Sequence, residues 1–238
     1  MKMRAKKDMV EAKKIAVILN GCGHRDGSEI HEAVLTLLAI EQAGASWEAL
    51  ALDRNQASVL NHLDGSVEKN SSPRNMLNES ARIARGRIRK LQDVTAKNYD
   101  AVIIPGGSGT ASNLCDFAVS GKNMSVNPTI RDLLVDAHGL KKPIGAICIA
   151  PILLAGVFGK MGVKLTLGDA RGGAALAAEA MGAMVRDCRA DQCVVDEVAR
   201  VVTTPAYMLD ATMRDISKGI SSLVNEIIRL MEDDAKKS

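Results

Sequence analysis

Short, continuous apolar runs alternate along the chain with longer segments whose apolar residues recur every three or four positions. Residues 15–19 form an uninterrupted apolar run ending in Asn20-Gly21-Cys22-Gly23, the pattern of a buried strand closing in a glycine-rich turn. In residues 28–43, Ile30, Val34, Leu37 and Leu38 stand at helical spacing, with Ser28 as N-cap and Gly44 as the stop. Further strands are predicted over 47–52, 101–104, 144–147 and 198–202, the one over 101–104 halted by Pro105-Gly106-Gly107. A C-terminal helix starting near Tyr207 carries Met213, Ile216, Ile220, Leu223, Ile227 and Leu230 at spacings of three and four. Residues 64–75 read as a long loop. Apolar strands alternating with helices predict βαβ units around a parallel sheet buried on both faces. The expected fold is therefore α/β and doubly wound, with a mostly parallel sheet sandwiched by helices. Neither a repeat nor a linker divides it, so one domain is expected over residues 14–238, behind an N-terminal tail over 1–13.

Composition narrows the function classes. The 238 residues are 47% hydrophobic and 25% charged, an ordinary globular balance with enough chain for a full core. The charge sum, 31 − 28 = +3, gives no reason to seek polyanions, and 2% aromatic residues give no platform for stacking bases. No nucleic-acid partner is expected. The longest apolar stretch, 144–159, is interrupted by Pro151 and glycines and is too short to span a bilayer, so no membrane partner is expected either. Five cysteines without a CxxC pair suggest neither a zinc ribbon nor a disulfide framework. Residues 1–14 are basic, but Asp8 and Glu11 and the lack of an apolar run argue against a targeting leader. These features predict a reducing, cytoplasmic location.

The strongest chemical signal is Gly145-Ala146-Ile147-Cys148-Ile149-Ala150-Pro151. An apolar strand runs straight into Cys148, with small residues two positions before and two after it. A nucleophile elbow, the tight turn from strand to helix, tolerates only small neighbours. Pro151 suits the first helical turn, where its missing N–H costs nothing. Cys148 is thus expected as a nucleophile at a helix N-terminus. Gly106 and Gly107, ending another buried strand, could aim N–H groups at a ligand and form an oxyanion hole with the N–H of Ile149. Glu29 and Glu32 share a helix face just after the first strand, and one of them could carry a proton beside Cys148. Cys22 belongs at the same sheet edge, as a redox partner or as filler of a tight loop.

Other signals are weaker. Gly21-x-Gly23-x-x-x-Gly27 has the wrong spacing for a dinucleotide fingerprint, and Asp26 would repel a pyrophosphate. Arg82, Arg85 and Arg89 read as one solvated helical face. The four histidines lack HxH or HExxH spacing, so neither a metal nor another cofactor is expected.

These residues resemble the ThiJ/PfpI superfamily, and within it the ElbB-like branch of glyoxalases and glutamine-amidotransferase-like proteins. The matching stretches are Asn20–Gly23 with Asp26–Glu32, Glu79–Arg85, Pro105–Gly107, Cys148–Pro151 and Thr203–Tyr207. The resemblance implies a flavodoxin-like, usually homodimeric α/β sandwich. It also implies a Cys148 thiolate held by a protonated Glu32, with Glu29 as a second acidic position. Such proteins are associated with glutathione-independent conversion of methylglyoxal to lactate. One departure stands out: many relatives carry a histidine about 20 residues after the cysteine, whereas His24, His31, His62 and His138 all precede Cys148. Glutamine hydrolysis through a Cys-His pair is therefore disfavoured. The expected function is a cofactor-free enzyme acting on a small carbonyl substrate. Cys148, its pKa lowered, forms a hemithioacetal; Glu32 moves a proton between carbons; and the Gly107 and Ile149 N–H groups hold the oxyanion. The alternative is a non-enzymatic redox sensor in which Cys148 is oxidised to sulfinate beside Glu32.

Overall fold

The structure is a computed structural model that describes residues 12–235. The tail expected over 1–13 lies almost wholly outside the described residues. The chain begins with β1 (Lys14–Ile18), α1 (Ile30–Gln42) and β2 (Ser46–Ala51). After a long excursion come α2 (Met76–Ile83), β3 (Ile88–Lys90) and β4 (Ala101–Ile104). Two short helices, α3 (Ser108–Asn113) and α4 (Phe117–Ser120), lead to α5 (Pro128–Gly139), β5 (Ile144–Ile147) and α6 (Pro151–Phe158). The last third holds β6 (Lys164–Leu165), α7 (Gly173–Ala180), β7 (Met184–Val185), β8 (Val194–Asp196), β9 (Val201–Thr204) and α8 (Met213–Ala235).

Seven strands form one sheet in the order β3-β2-β1-β4-β5-β9-β8. Every pairing is parallel except β8 with β9, at one edge. Alternation along β1 explains its unbroken apolar run. Ile15, Val17 and Leu19 enter the core under α1 and α8, while Ala16 and Ile18 enter the core of the opposite face. A parallel strand buried on both sides has no polar face to show. This is the doubly wound α/β architecture expected from the pattern.

Several details differ from the sequence expectation. The N-cap of α1 is Glu29, whose side chain accepts from the Glu32 N–H; Ser28 is buried and accepts from the Asn20 N–H instead. Ala33, Leu37 and Ile40 form the inner face of α1, whereas Ile30, Val34 and Leu38 are exposed. Spacings of three and four recur on two adjacent stripes of that helix, and its small residues face inward. The late strand lies at Val201–Thr204, because Val198 sits in the exposed turn joining β8 to β9. α8 begins at Met213, and Ala206–Met208 form a separate 3-10 turn. Arg82, Arg85 and Arg89 do not share a helix: α2 ends at Ile83, Arg85 has φ 53° and Arg89 lies in β3. The 64–75 segment is a loop, part of the excursion packed on the turn after β1. There the Gln56 side chain donates to the Asp26 carbonyl (2.6 Å) and the Leu60 N–H to the Asp26 carboxylate (2.8 Å).

Candidate active site

The carboxyl ends of β1, β4, β5 and β9 lie side by side at the centre of the sheet. The strand order reverses across β1 and β4, the place where doubly wound sheets open a ligand crevice. Each strand delivers one part of the site just past its end: the α1 acids after β1, Gly106-Gly107 after β4, Cys148 after β5 and Tyr207 after β9.

Cys148 occupies the elbow. Its φ is +62°, a left-handed conformation that a non-glycine residue adopts only when its surroundings enforce it. Parallel pairing up to the end of β5 supplies that force: Ile147 stands opposite Thr204, and the Cys148 N–H donates to the Thr204 carbonyl at 2.9 Å. Ala146 and Ala150 are both fully buried, as the small-residue spacing requires, and Pro151 stands in the first turn of α6. The thiol is 8% exposed, and the N–H groups of Gly107 and Ile149 both reach its sulfur.

Glu32 has no exposed surface and touches the Cys148 sulfur. Its Oε2 accepts from the Gly106 N–H at 2.9 Å, and its Oε1 accepts from the Tyr207 N–H at 3.4 Å. Burial, helped by the nearby Glu29 carboxylate, raises its pKa to about 8. That direction favours the neutral carboxylic acid expected at Glu32. The direction at the thiol is the opposite of the lowering expected. Burial pushes the Cys148 thiol well above its ordinary range, and negative charge on Glu32 pushes it further, against the two backbone N–H groups. Two acids share one dry contact, and the first cost is desolvation, which the sequence pattern does not display.

The two glycines divide their work. Gly106 spends its N–H on Glu32, so it is not an oxyanion donor as expected; it serves by having no side chain. A Cβ there would lie 2.5 Å from the Cys148 Cβ and 2.6 Å from Glu32 Oε2. Gly107, at φ +100°, turns its N–H towards the sulfur, and a Cβ there would meet the Gly27 carbonyl at 2.3 Å.

A cleft of about 670 Å³ opens over Cys148. Its polar lining includes Glu29, His24, His31, Tyr207 and Ser108, and its apolar lining includes Ala111, Phe117, Ala118, Ile149 and Met208. Glu29 and Glu32 therefore separate: Glu29 faces the cleft and Glu32 lies behind the sulfur. Glu29 is held by its own helix cap, with Oε2 accepting from the Glu32 N–H at 2.7 Å. His31 Nδ1 lies 2.9 Å from the Tyr207 hydroxyl and 3.9 Å from Glu29 Oε1. Cys22 is absent from the cleft lining; the charges that act on it are Glu79, Arg82, Asp26 and Arg74, on the α2 side. Sequence reasoning gave no role to Tyr207, Phe117 or Met208. Tyr207 follows strand β9, whose end was misplaced, and Phe117 lies on a four-residue helix too short for any periodicity.

Among the described residues, no helix is long and apolar enough to cross a membrane. The chain is 41% identical over 225 residues to the rat ES1 protein homolog, mitochondrial, an alignment covering 91% of this chain and 84% of the relative. It is 40% identical over 227 residues to the human glutamine amidotransferase-like class 1 domain-containing protein 3, mitochondrial, covering 92% and 84%. Both relatives are named mitochondrial, which overturns the expectation of a cytoplasmic protein. Asp8 and Glu11 within the basic start and the unpaired cysteines had suggested the cytoplasm, but unpaired cysteines do not distinguish one reducing compartment from another. Among solved structures, the isoprenoid biosynthesis protein with amidotransferase-like domain from Ehrlichia chaffeensis superposes with a TM-score of 0.85 at 32% identity, covering 92% of this chain and 100% of that one. The sequence profile of the DJ-1/PfpI family matches residues 13–212, which include the elbow, both glycines and both acids, and the chain belongs to that family.

Proposed function

We propose that the chain is a glutathione-independent, cofactor-free glyoxalase-type enzyme that converts 2-oxoaldehydes to 2-hydroxy acids at Cys148. The observation that carries this reading is Cys148 at φ +62° under an open cleft, in contact with a neutral carboxyl group and two backbone N–H groups. The Cys148 sulfur adds to the aldehyde carbon, and the thiol proton passes through Glu32. The hemithioacetal oxygen settles against the N–H groups of Gly107 and Ile149. A base then removes the proton from the former aldehyde carbon, giving an enediol, and the neighbouring carbon is protonated. One carbon is oxidised and its neighbour reduced, so no outside oxidant or reductant enters. The product is a thioester, and water cleaves it to the 2-hydroxy acid and the restored thiol.

The sequence pattern suggested Glu32 for the transfer between carbons. Its complete burial behind the sulfur supports the thiol proton as its task instead, and Glu29, which lines the cleft, is the proposed carbon acid–base. Glu29→Gln keeps the cap on α1 and is expected to lower turnover on the order of a hundredfold or more, while Cys148 remains open to alkylation by iodoacetamide. Unchanged turnover would return the transfer to Glu32. Glutamine hydrolysis is not favoured. His24 and His31 are the histidines at the cleft, and the Nδ1 of His31 is engaged by the Tyr207 hydroxyl. The homodimer belongs to this proposal too, supported by the exposed stripe Ile30, Val34 and Leu38 on α1.

A further inference from the structure

The cleft above Cys148 is much larger than a three-carbon aldehyde requires. Its volume of about 670 Å³ falls within the roughly 300–1,000 Å³ of sites that enclose drug-sized ligands. Much of the lining is apolar: Ala111 from α3, Phe117 and Ala118 from α4, Ile149 from the elbow and Met208 from the turn after β9. A methionine and a phenylalanine in the lining supply adaptable apolar surface suited to aromatic and branched groups. Charge points the same way. Among the described residues, Glu29 is the acid that lines the cleft, and no lysine or arginine lines it. A substrate bearing a carboxylate or phosphate would meet Glu29 with neither a lysine nor an arginine to offset the repulsion; the cleft's other titratable groups include His24, whose pKa burial lowers, and His31, already 3.9 Å from Glu29.

Resting on the glyoxalase-type reading, we infer that the cleft selects 2-oxoaldehydes whose substituent is neutral and apolar, a branched alkyl or aryl group, over methylglyoxal and against acidic analogues. The substituent packs on the apolar lining of Phe117, Ala118, Ile149 and Met208 while the aldehyde carbon reaches the Cys148 sulfur. Burial of apolar surface there favours binding by about fourfold for each buried methylene.

Two measurements test this. The first is kcat/KM for methylglyoxal, isobutylglyoxal, phenylglyoxal and carboxyethylglyoxal. Isobutylglyoxal and phenylglyoxal should exceed methylglyoxal by on the order of tenfold or more, and carboxyethylglyoxal should fall below it. Ala118→Phe fills the cleft from an exposed helix position and should compress the apolar advantage. A flat series, or a preference for carboxyethylglyoxal, overturns the inference. The second measurement needs no turnover. Cys148 is alkylated with iodoacetamide, N-benzyl iodoacetamide and iodoacetate, each rate divided by that of N-acetylcysteine. The benzyl compound should lead and iodoacetate trail. If no oxoaldehyde turns over but this order holds, the glyoxalase reading fails and the cleft's preference stands. If oxoaldehydes turn over while the alkylation order is flat or reversed, the cleft's preference fails and the activity stands.

Discussion

Glu32 and Cys148 are two buried acids in one contact, and each makes the other harder to ionise. The Glu32 carboxyl has no exposed surface and the thiol is 8% exposed. Desolvation is the leading cause of the raised pKa at both groups, and negative charge on Glu32 raises the thiol further. The pair therefore holds both protons at neutral pH and gives up the first at about 8, the point set by Glu32.

Reactivity should lag behind that proton, because the thiolate is the nucleophile and the Glu32 charge opposes it. The rate of Cys148 alkylation by iodoacetamide is expected to be low at pH 6 and to rise only above pH 8. Glu32→Gln removes the charge that opposes the thiolate, so its rise should begin at a lower pH than in the wild type. A wild-type rate already at plateau by pH 6 would show that the Gly107 and Ile149 N–H groups overcome burial.

Folding stability should carry the same signature. The Glu32 pKa in the folded protein, about 8, lies above its ordinary 4.5. Its contribution is fully present below pH 4.5 and is lost as pH rises through 8. Wild type should therefore lose stability relative to Glu32→Gln across this interval, by up to about 1.4 kcal/mol per pH unit. Urea titrations of both proteins at pH 4.5, 6 and 8 measure the difference. Parallel stability curves would mean that Glu32 ionises normally in the fold.

Gly106→Ala tests the close approach of β4 to the elbow. The added methyl would lie 2.5 Å from the Cys148 Cβ and 2.9 Å from the Ile147 carbonyl, part of it fixed backbone. Overpacking of this kind costs about 1–3 kcal/mol. The variant should show a lower Tm and a changed Cys148 alkylation rate. A wild-type Tm would mean that the strand ends have more freedom than their packing implies.

Much of this site was legible because its parts end buried strands. The apolar runs before Gly21, Gly106 and Cys148 mark β1, β4 and β5, and the spacing of Ala146, Cys148 and Ala150 marks the elbow. Partner choice was less legible. Nothing in the pattern assigns the Gly106 N–H to Glu32 or separates Glu29 from Glu32, because three-residue spacing puts both acids near one helix face. The outward stripe of α1 was misread for a similar reason. Ile30, Val34 and Leu38 outrank Ala33 in hydrophobicity, yet contact with α8 selects the small residue. The thiol's direction of shift was missed because it depends on the depth of burial, a property of the assembled fold.

The most direct test of the central claim is a methylglyoxal assay without glutathione, reading 2-hydroxy acid formation by wild type and Cys148→Ser. Wild type should form lactate, and Cys148→Ser, folded with an unchanged circular dichroism spectrum, should form none above the uncatalysed rate. Equal lactate formation by the two proteins, or none by wild type, would contradict the account.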